Sequence, residues 1–493
     1  MQSGHFLNAK SGMKMFDGPL TVAIAGASGD LARRKIVPAF FSLFCQGFLP
    51  DKFNLIGFAR TELDDDSFRN MLRENLACRY SPPASCHELM DGFLSRCFYV
   101  QGLYDSRASF LDMYSRLREI EGGADCCRLF YLAVPPSVFA GLSDALAGSG
   151  LVACGREYPW TRVVIEKPFG EDRNSSDRLA AMLARVFTED QLYRIDHYLG
   201  KELVQNLLVL RFANVTFEPV WNRHFIRAVH IDWREAQKVG ARGRYFDSYG
   251  IIRDVVQNHL LQILALTVMD EPNRMDAAGI REAKTRALKA IEPADIHDAV
   301  LGQYGGYRLE PGVDAQSQTA TFAGVGLKMT CERWRGVPIL VTAGKAMDRS
   351  LTEVRILFRP AAGGKFCGRS GCPPANRMVI RVQPAEAIWL DVIMKRPGLD
   401  VALESRPLDL QYSEAFARTI PDAYERLLLD VLNGDKSLFI SLDELSAAWD
   451  VFTPLLHEID RSKAAPETYA IGSSGPASMK GLADRYGIPW PAV

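Results

Sequence analysis

The sequence predicts a doubly wound parallel α/β sheet in the first part of the chain, followed by an α+β domain with a large, mainly antiparallel sheet. Three observations predict it. Short apolar runs alternate with helix-periodic segments up to about residue 196. A glycine-rich turn, Gly26-Ala27-Ser28-Gly29-Asp30-Leu31-Ala32, follows the first run and opens a helix. From about Val229 the rhythm changes to strand-like alternation interrupted by a few helices.

Taken in order, 20–25 reads as a buried strand and 31–44 as an apolar-periodic helix. Strands follow at 53–59, at 129–134, closed by Pro135-Pro136, and at 162–166. In the second part, 319–323, 337–341, 354–358 and 378–382 alternate as antiparallel strands. Helices are expected at 251–269, 423–432 and 441–459, and the Gly/Pro-rich stretch 360–374 as a surface loop. The resulting division is an N-terminal arm over 1–16, a Rossmann-like domain over 17–196 and an α+β domain over 197–493.

Composition excludes several classes. At 493 residues, 47% hydrophobic and 24% charged, the chain has enough apolar material for a large core. A formal net charge of −1 gives no global field toward nucleic acid or a membrane surface. No apolar run approaches the roughly 18 residues that span a bilayer, and residues 1–15 lack the apolar core of a secretory signal. The ten cysteines are scattered without zinc-ligand spacing, which predicts free thiols in a reducing cytoplasm and no metal.

Four constellations carry chemistry. In the first turn, Gly26 and Gly29 let the backbone approach a pyrophosphate whose charge then meets the helix N-terminus, with Ala27, Ser28, Asp30 and Leu31 completing the cradle. The spacing is GxxGxxA and not GxGxxG, so a plain βα turn is the alternative. At the end of the second strand stands Arg60, where NAD-binding folds usually carry a carboxylate. An arginine there suits the 2′-phosphate of NADP, while Glu62 keeps NAD open.

The third constellation is Glu166-Lys167-Pro168-Phe169-Gly170, which puts Lys167 at the ligand-binding edge of a parallel sheet; a surface lysine before a turn reads equally well. The fourth joins two segments. Arg194-Ile195-Asp196-His197-Tyr198-Leu199-Gly200-Lys201-Glu202 gathers His197 and Lys201 at a helix start near Leu199, which suits a phosphate, or alternatively a solvated ion-paired helix end. The apolar helix 251–269 carries Asp254, Asn258 and His259, polar groups that need partners if buried. Either His197 or His259 has the side chain suited to take a proton near neutral pH, and the residues alone do not choose between them.

These motifs together resemble the glucose-6-phosphate dehydrogenase family, from about Thr21 to about Pro476. The marks are GASGDLA (Gly26 to Ala32), EKPFG (Glu166 to Gly170), RIDHYLGKE (Arg194 to Glu202) and GIIRDVVQNHLLQ (Gly250 to Gln262), with Pro421-Asp422-Ala423-Tyr424-Glu425-Arg426 further on. The resemblance implies NADP as coenzyme, glucose 6-phosphate as substrate, and a homodimer or homotetramer built on the large sheet. It implies His259 as the base, Asp196 as its partner, and His197, Tyr198 and Lys201 as the phosphate site. Glu235 and Asp254 would bond the sugar hydroxyls, and Lys167, Lys345 and Gln383 would complete the pocket, Lys167 touching the coenzyme too. A hexose-6-phosphate dehydrogenase of broader specificity and a non-catalytic NADPH sensor are the alternatives.

The resemblance also implies a second, structural NADP in many eukaryotic relatives. This chain keeps Arg355, Arg381, Lys395, Arg396, Asp409 and Tyr412 of that site. It has Thr342, Leu351 and Ser474 where those relatives carry cations, which predicts weak or no binding there.

Overall fold

The structure is a computed structural model and describes residues 16–152, 158–361, 366–367, 372–416 and 419–491. Strands β1 (Leu20–Ala25), β2 (Phe53–Ala59), β3 (Cys97–Gln101), β4 (Cys127–Leu132), β5 (Thr161–Ile165) and β6 (Leu192–Arg194) form one sheet. Their order is β3-β2-β1-β4-β5-β6 and every pairing is parallel. β1 is buried along its whole length, so its apolar run shows no alternation. The strand order reverses between β1 and β4, which opens a crevice beyond their carboxyl ends.

Nine strands form the second sheet: β7 (Ile226–Arg234), β8 (Ala299–Tyr304), β9 (Phe322–Leu327), β10 (Ile339–Gly344), β11 (Leu351–Phe358), β12 (Arg377–Gln383), β13 (Ala387–Lys395), β14 (Leu403–Gln411) and β15 (Glu467–Tyr469). The order is β14-β13-β12-β11-β7-β10-β9-β8-β15, antiparallel except for the β7–β10 and β8–β15 pairs. The segments 319–323 and 337–341 begin too early by two or three residues. β14 escapes a periodicity reading because most of it is exposed and it contains Pro407.

Two helices differ from expectation. The first begins with a wide π-turn at Ala32–Ile36 before the α-helix Val37–Cys45, whose second residue, Pro38, has no N–H for the ladder. The expected helix 251–269 follows a kink at Gly250 (φ 69°, ψ 170°) and runs as a π-helix over Ile252–Leu260 before the α-helix Leu261–Val268. The helices Ala423–Asn433 and Leu442–Ser462 stand where expected.

The thiol expectation is overturned. Cys78 bonds Cys86 and Cys367 bonds Cys372, with Cα separations of 5.8 and 4.0 Å, while Cys45, Cys97, Cys126, Cys127 and Cys331 are free. Spacing alone hid the first pair, because the turn before the helix Pro83–Leu94 folds eight residues of chain back on themselves. Of the arm, residues 1–15 lie outside the described residues, and Phe16 packs edge-on to Trp160. The loop 360–374 lies partly outside them.

Two helices from the second part of the chain are tied to the parallel sheet. Arg162 of β5 donates to the carbonyls of Val431 (2.6 Å) and Leu432 (2.8 Å), the end of the helix Ala423–Asn433. Trp449 donates from Nε1 to the Phe169 carbonyl (3.0 Å), fixing the turn after β5.

Inside the second sheet, buried His230 contacts Thr342 Oγ1 (2.9 Å) and lies beside Asp232 and Arg355. Burial, helped by Arg355 and Arg234 and opposed by Asp232, holds its imidazole down at about 3 against an ordinary 6.5. Below pH 6.5 the unfolded chain therefore binds a proton that the folded chain refuses. The stability contributed by neutral His230 is complete above pH 6.5 and disappears as pH falls toward about 3. The expected loss is on the order of 5 kcal/mol over that window. Denaturant unfolding at stepped pH should show it, with a flatter slope in His230→Gln; equal slopes would contradict it.

Candidate active site

The turn after β1 meets the requirement for close approach to a ligand. Gly26 has φ +88°, and a Cβ there would lie 2.3 Å from the Ala133 carbonyl oxygen at the end of β4. Only glycine fits between the two strand ends. The Gly29 N–H bonds back to the Gly26 carbonyl (2.9 Å), and Thr61 Oγ1 donates to Ser28 Oγ (2.9 Å). That bond ties the end of β2, and with it exposed Arg60, to the glycine-rich turn. The Arg60 guanidinium sits 5.8 Å from the Tyr104 ring centroid.

The motif after β6 gathers the rest. The helix starts at Glu202 and not near Leu199; residues 196–201 form successive turns instead. Leu199, Gly200 and Lys201 donate N–H bonds to the carbonyls of Asp196 (3.0 Å), His197 (3.2 Å) and Tyr198 (3.1 Å). Turn geometry, and not helical periodicity, thus brings His197 and Lys201 together. Gly200 is needed here for contact: a Cβ would lie 2.5 Å from the Ala423 carbonyl oxygen.

His259 comes from the π-helix and meets this turn inside the core. Its Nδ1 lies 2.5 Å from Asp196 Oδ1, which also accepts the Tyr198 N–H at 2.9 Å. Only 3% of His259 and 2% of Asp196 is exposed. Burial works to raise Asp196, but His259 and its hydrogen bond outweigh it and hold the carboxyl at about 2. Burial lowers His259 despite Asp196, so the ring is neutral near pH 7 and able to accept a proton. His197 is pushed well below the usual range by burial, with His259, Lys167 and Lys201 adding to it.

The remaining expected residues surround this pair. Tyr198 stacks on His259 at 4.5 Å, its hydroxyl accepting from Trp233 Nε1 (2.6 Å) and Gln383 Nε2 (3.2 Å). Lys201 Nζ donates to Gln383 Oε1 (2.5 Å). Lys167 Nζ donates to the Asp254 carbonyl (2.6 Å) and lies 3.3 Å from its carboxylate, and Lys345 pairs with Glu235. Burial pushes Asp254 up, but Lys167, Lys345 and Arg242 outweigh it and keep the carboxylate ionised. Each of these residues is therefore linked by contact or charge to the Asp196–His259 pair, directly or through a neighbour.

A cleft of about 780 Å³ opens on His197 and Lys201, with Lys35, Asp422 and Tyr424 at its wall. A larger one, about 1000 Å³, lies elsewhere beside Arg211 and Arg333 and includes none of these groups. Depth of chemistry and not size marks the site.

Sequence reasoning missed the supports. Tyr424 lies parallel to His197 (6.2 Å, 6°) and donates to Glu166 Oε1 (3.1 Å), which also accepts from Tyr131 (2.5 Å). Tyr424 stands inside Pro421-Asp422-Ala423-Tyr424-Glu425-Arg426, so its motif was visible while its role was not.

A dinucleotide crevice joined to a buried Asp–His pair and a polar cleft that holds Lys35, Arg79 and Lys201 defines a coenzyme-dependent oxidoreductase. Comparison with known proteins makes this specific. Models of the NAD binding domain and of the C-terminal domain of glucose-6-phosphate dehydrogenase match residues 23–206 and 208–491. The chain belongs to the glucose-6-phosphate dehydrogenase family.

Its relatives include the chloroplastic glucose-6-phosphate 1-dehydrogenase of Spinacia oleracea, 45% identical across 96% of this chain and 84% of the other. A cytoplasmic form from Arabidopsis thaliana is 43% identical across 95% and 92%. A solved glucose-6-phosphate dehydrogenase in complex with glucose 6-phosphate superposes with a TM-score of 0.91, 39% identity and coverage of 97% and 99%. The enzyme from Mycobacterium avium gives 0.83 and 31%, with coverage of 97% and 99%.

Proposed function

We propose that this chain oxidises glucose 6-phosphate at C1 to the 6-phosphogluconolactone, passing hydride to NADP. The observation that carries the reading is the buried 2.5 Å Asp196–His259 pair beside the His197–Lys201 cleft. His259 takes the C1 hydroxyl proton as hydride leaves C1, and Asp196 orients the ring and stabilises the imidazolium. His197, Tyr198 and Lys201 hold the phosphate. Glu235, Asp254, Lys345 and Gln383 hold the sugar, and Lys167 faces both ligands. NADP, when bound, accepts the hydride. Gly26 through Leu31 form its pyrophosphate cradle and Arg60 meets its 2′-phosphate. Purified enzyme given both compounds should yield NADPH and one proton together, with a second proton released as the lactone opens. NADPH formation no faster with the phosphorylated sugar than with glucose would overturn the assignment.

Coenzyme choice is proposed to rest on Arg60. Arg60→Ala should lower kcat/KM for NADP roughly tenfold or more and leave NAD nearly untouched, since only NADP carries the 2′-phosphate. An unchanged ratio of the two efficiencies would place Arg60 away from the ribose.

The coenzyme domain is proposed to occupy 17–196 and the substrate and dimerisation domain 197–493, since β6 closes one sheet and β7 belongs to the other. A dimer or tetramer is proposed to form on β13 and β14, where Met394, Leu408 and Leu410 are exposed. The cytoplasm is the proposed compartment, although the relatives include chloroplastic forms. Imaging of the native protein inside an organelle would contradict it. No helix among the described residues is long and apolar enough to cross a membrane.

The cations kept from the second NADP site are already engaged. Arg355 pairs with Glu353 (2.5 Å) and Asp232 (3.2 Å), Arg381 with Glu353 (2.8 Å), and Arg396 with Asp400 (3.8 Å). Lys395 donates to the carbonyls of Arg396 (3.2 Å) and Gly398 (2.7 Å). Calorimetry should therefore find one NADP per subunit, and sedimentation should find an assembly that persists without coenzyme. A second NADP released only by unfolding would contradict this.

A further inference from the structure

Asp196, His197 and His259 each offer one metal-ligand atom, and the three atoms lie within 4.8 Å of one another. Two imidazoles and a carboxylate are the donor set of open zinc sites, which leave further positions for water or ligand. A second observation points to a cation in the same place. Asp196 Oδ2 is buried and has no hydrogen-bond partner among the described residues, while Oδ1 is bonded to both His259 and the Tyr198 N–H. An unpartnered buried carboxylate oxygen is costly, and a bound cation removes that cost.

We propose that the substrate-free enzyme binds one zinc-class divalent ion through Asp196, His197 and His259, and that this ion inhibits reversibly in competition with the sugar phosphate. The ion occupies the base and one phosphate ligand together, so neither proton transfer nor phosphate binding proceeds while it is held. Coordination is a Lewis acid–base addition with no electron transfer. The Lys167 and Lys201 charges act on His197 and oppose a dication, which keeps the ion exchangeable. Magnesium and calcium, which seek oxygen ligands, gain too little from imidazole to compete.

The test is calorimetric titration of the substrate-free enzyme with zinc chloride, paralleled by cobalt(II), whose visible absorption reports its ligands. We expect one ion per subunit, displaced by glucose 6-phosphate and not by NADP, with no uptake of magnesium. His197→Gln and His259→Asn should each weaken zinc binding about tenfold or more, at unchanged melting temperature. In the native enzyme zinc should raise the apparent KM for glucose 6-phosphate and leave the saturated rate unchanged. Zinc binding equal in both variants, or a cobalt spectrum of thiolate ligation at half-buried Cys126 or Cys331, would overturn the site. The competition rests on assigning His197 to the phosphate. Stoichiometric binding lost in the variants yet indifferent to glucose 6-phosphate would overturn the inhibition, and that assignment with it.

Discussion

Replacing His259 with Asn should lower kcat by about 10²–10⁴-fold and leave glucose 6-phosphate binding largely intact. The side chain faces Asp196 at 2.5 Å in a core position where only 3% of the residue is exposed. Asn keeps most of the volume and a hydrogen bond but accepts no proton at neutral pH. Asp196→Asn should cost less, because the base remains and only its orientation and charge support are lost. Steady-state kinetics with calorimetric binding separates the two effects. Near-normal turnover in His259→Asn would remove it from the chemistry.

Phosphate recognition gives the second large effect. Lys201→Ala and His197→Ala should each raise the KM for glucose 6-phosphate roughly 10–100-fold, since a charge-assisted hydrogen bond contributes roughly 1.5–3 kcal/mol. Burial lowers the Lys201 ammonium, opposed by Glu386 and Asp422, so the free site holds a cation already poorly solvated. A phosphate dianion relieves that state and an uncharged sugar does not. Kinetics with unphosphorylated glucose should therefore change little in either variant. Equal losses with both sugars would assign these residues to the fold.

β1, β2, β4 and β5 of the parallel sheet were legible because they are apolar runs bounded by glycine and proline, whereas the half-exposed edge strand β3 and the three-residue β6 were not. Chemistry-bearing residues were legible for a different reason, being dense in two short motifs. What the sequence did not reveal is how those motifs meet. His197 and Lys201 converge through successive turns closed by Gly200 against Ala423, 223 positions away, and no local periodicity encodes that contact. The π-helix that aims His259 at Asp196 reads as ordinary helix in a pattern of apolar residues. Tyr424, Trp233 and Glu166 act as supports, and supports announce themselves only by proximity. The Cys78–Cys86 bond escaped notice because pairing depends on backbone geometry and not on spacing.

His259 is proposed as a base governed by Asp196, and the pH dependence of kcat/KM for glucose 6-phosphate, which reports the groups of the enzyme before the sugar binds, tests this most directly. This ratio should be level near neutral pH and fall on the acid side as one proton binds, with its midpoint below the ordinary imidazole value of 6.5. Asp196 raises the His259 pKa against burial, so in Asp196→Asn the midpoint should move to still lower pH while the plateau drops. An acid limb that stays in place or moves upward in that variant would contradict the pairing.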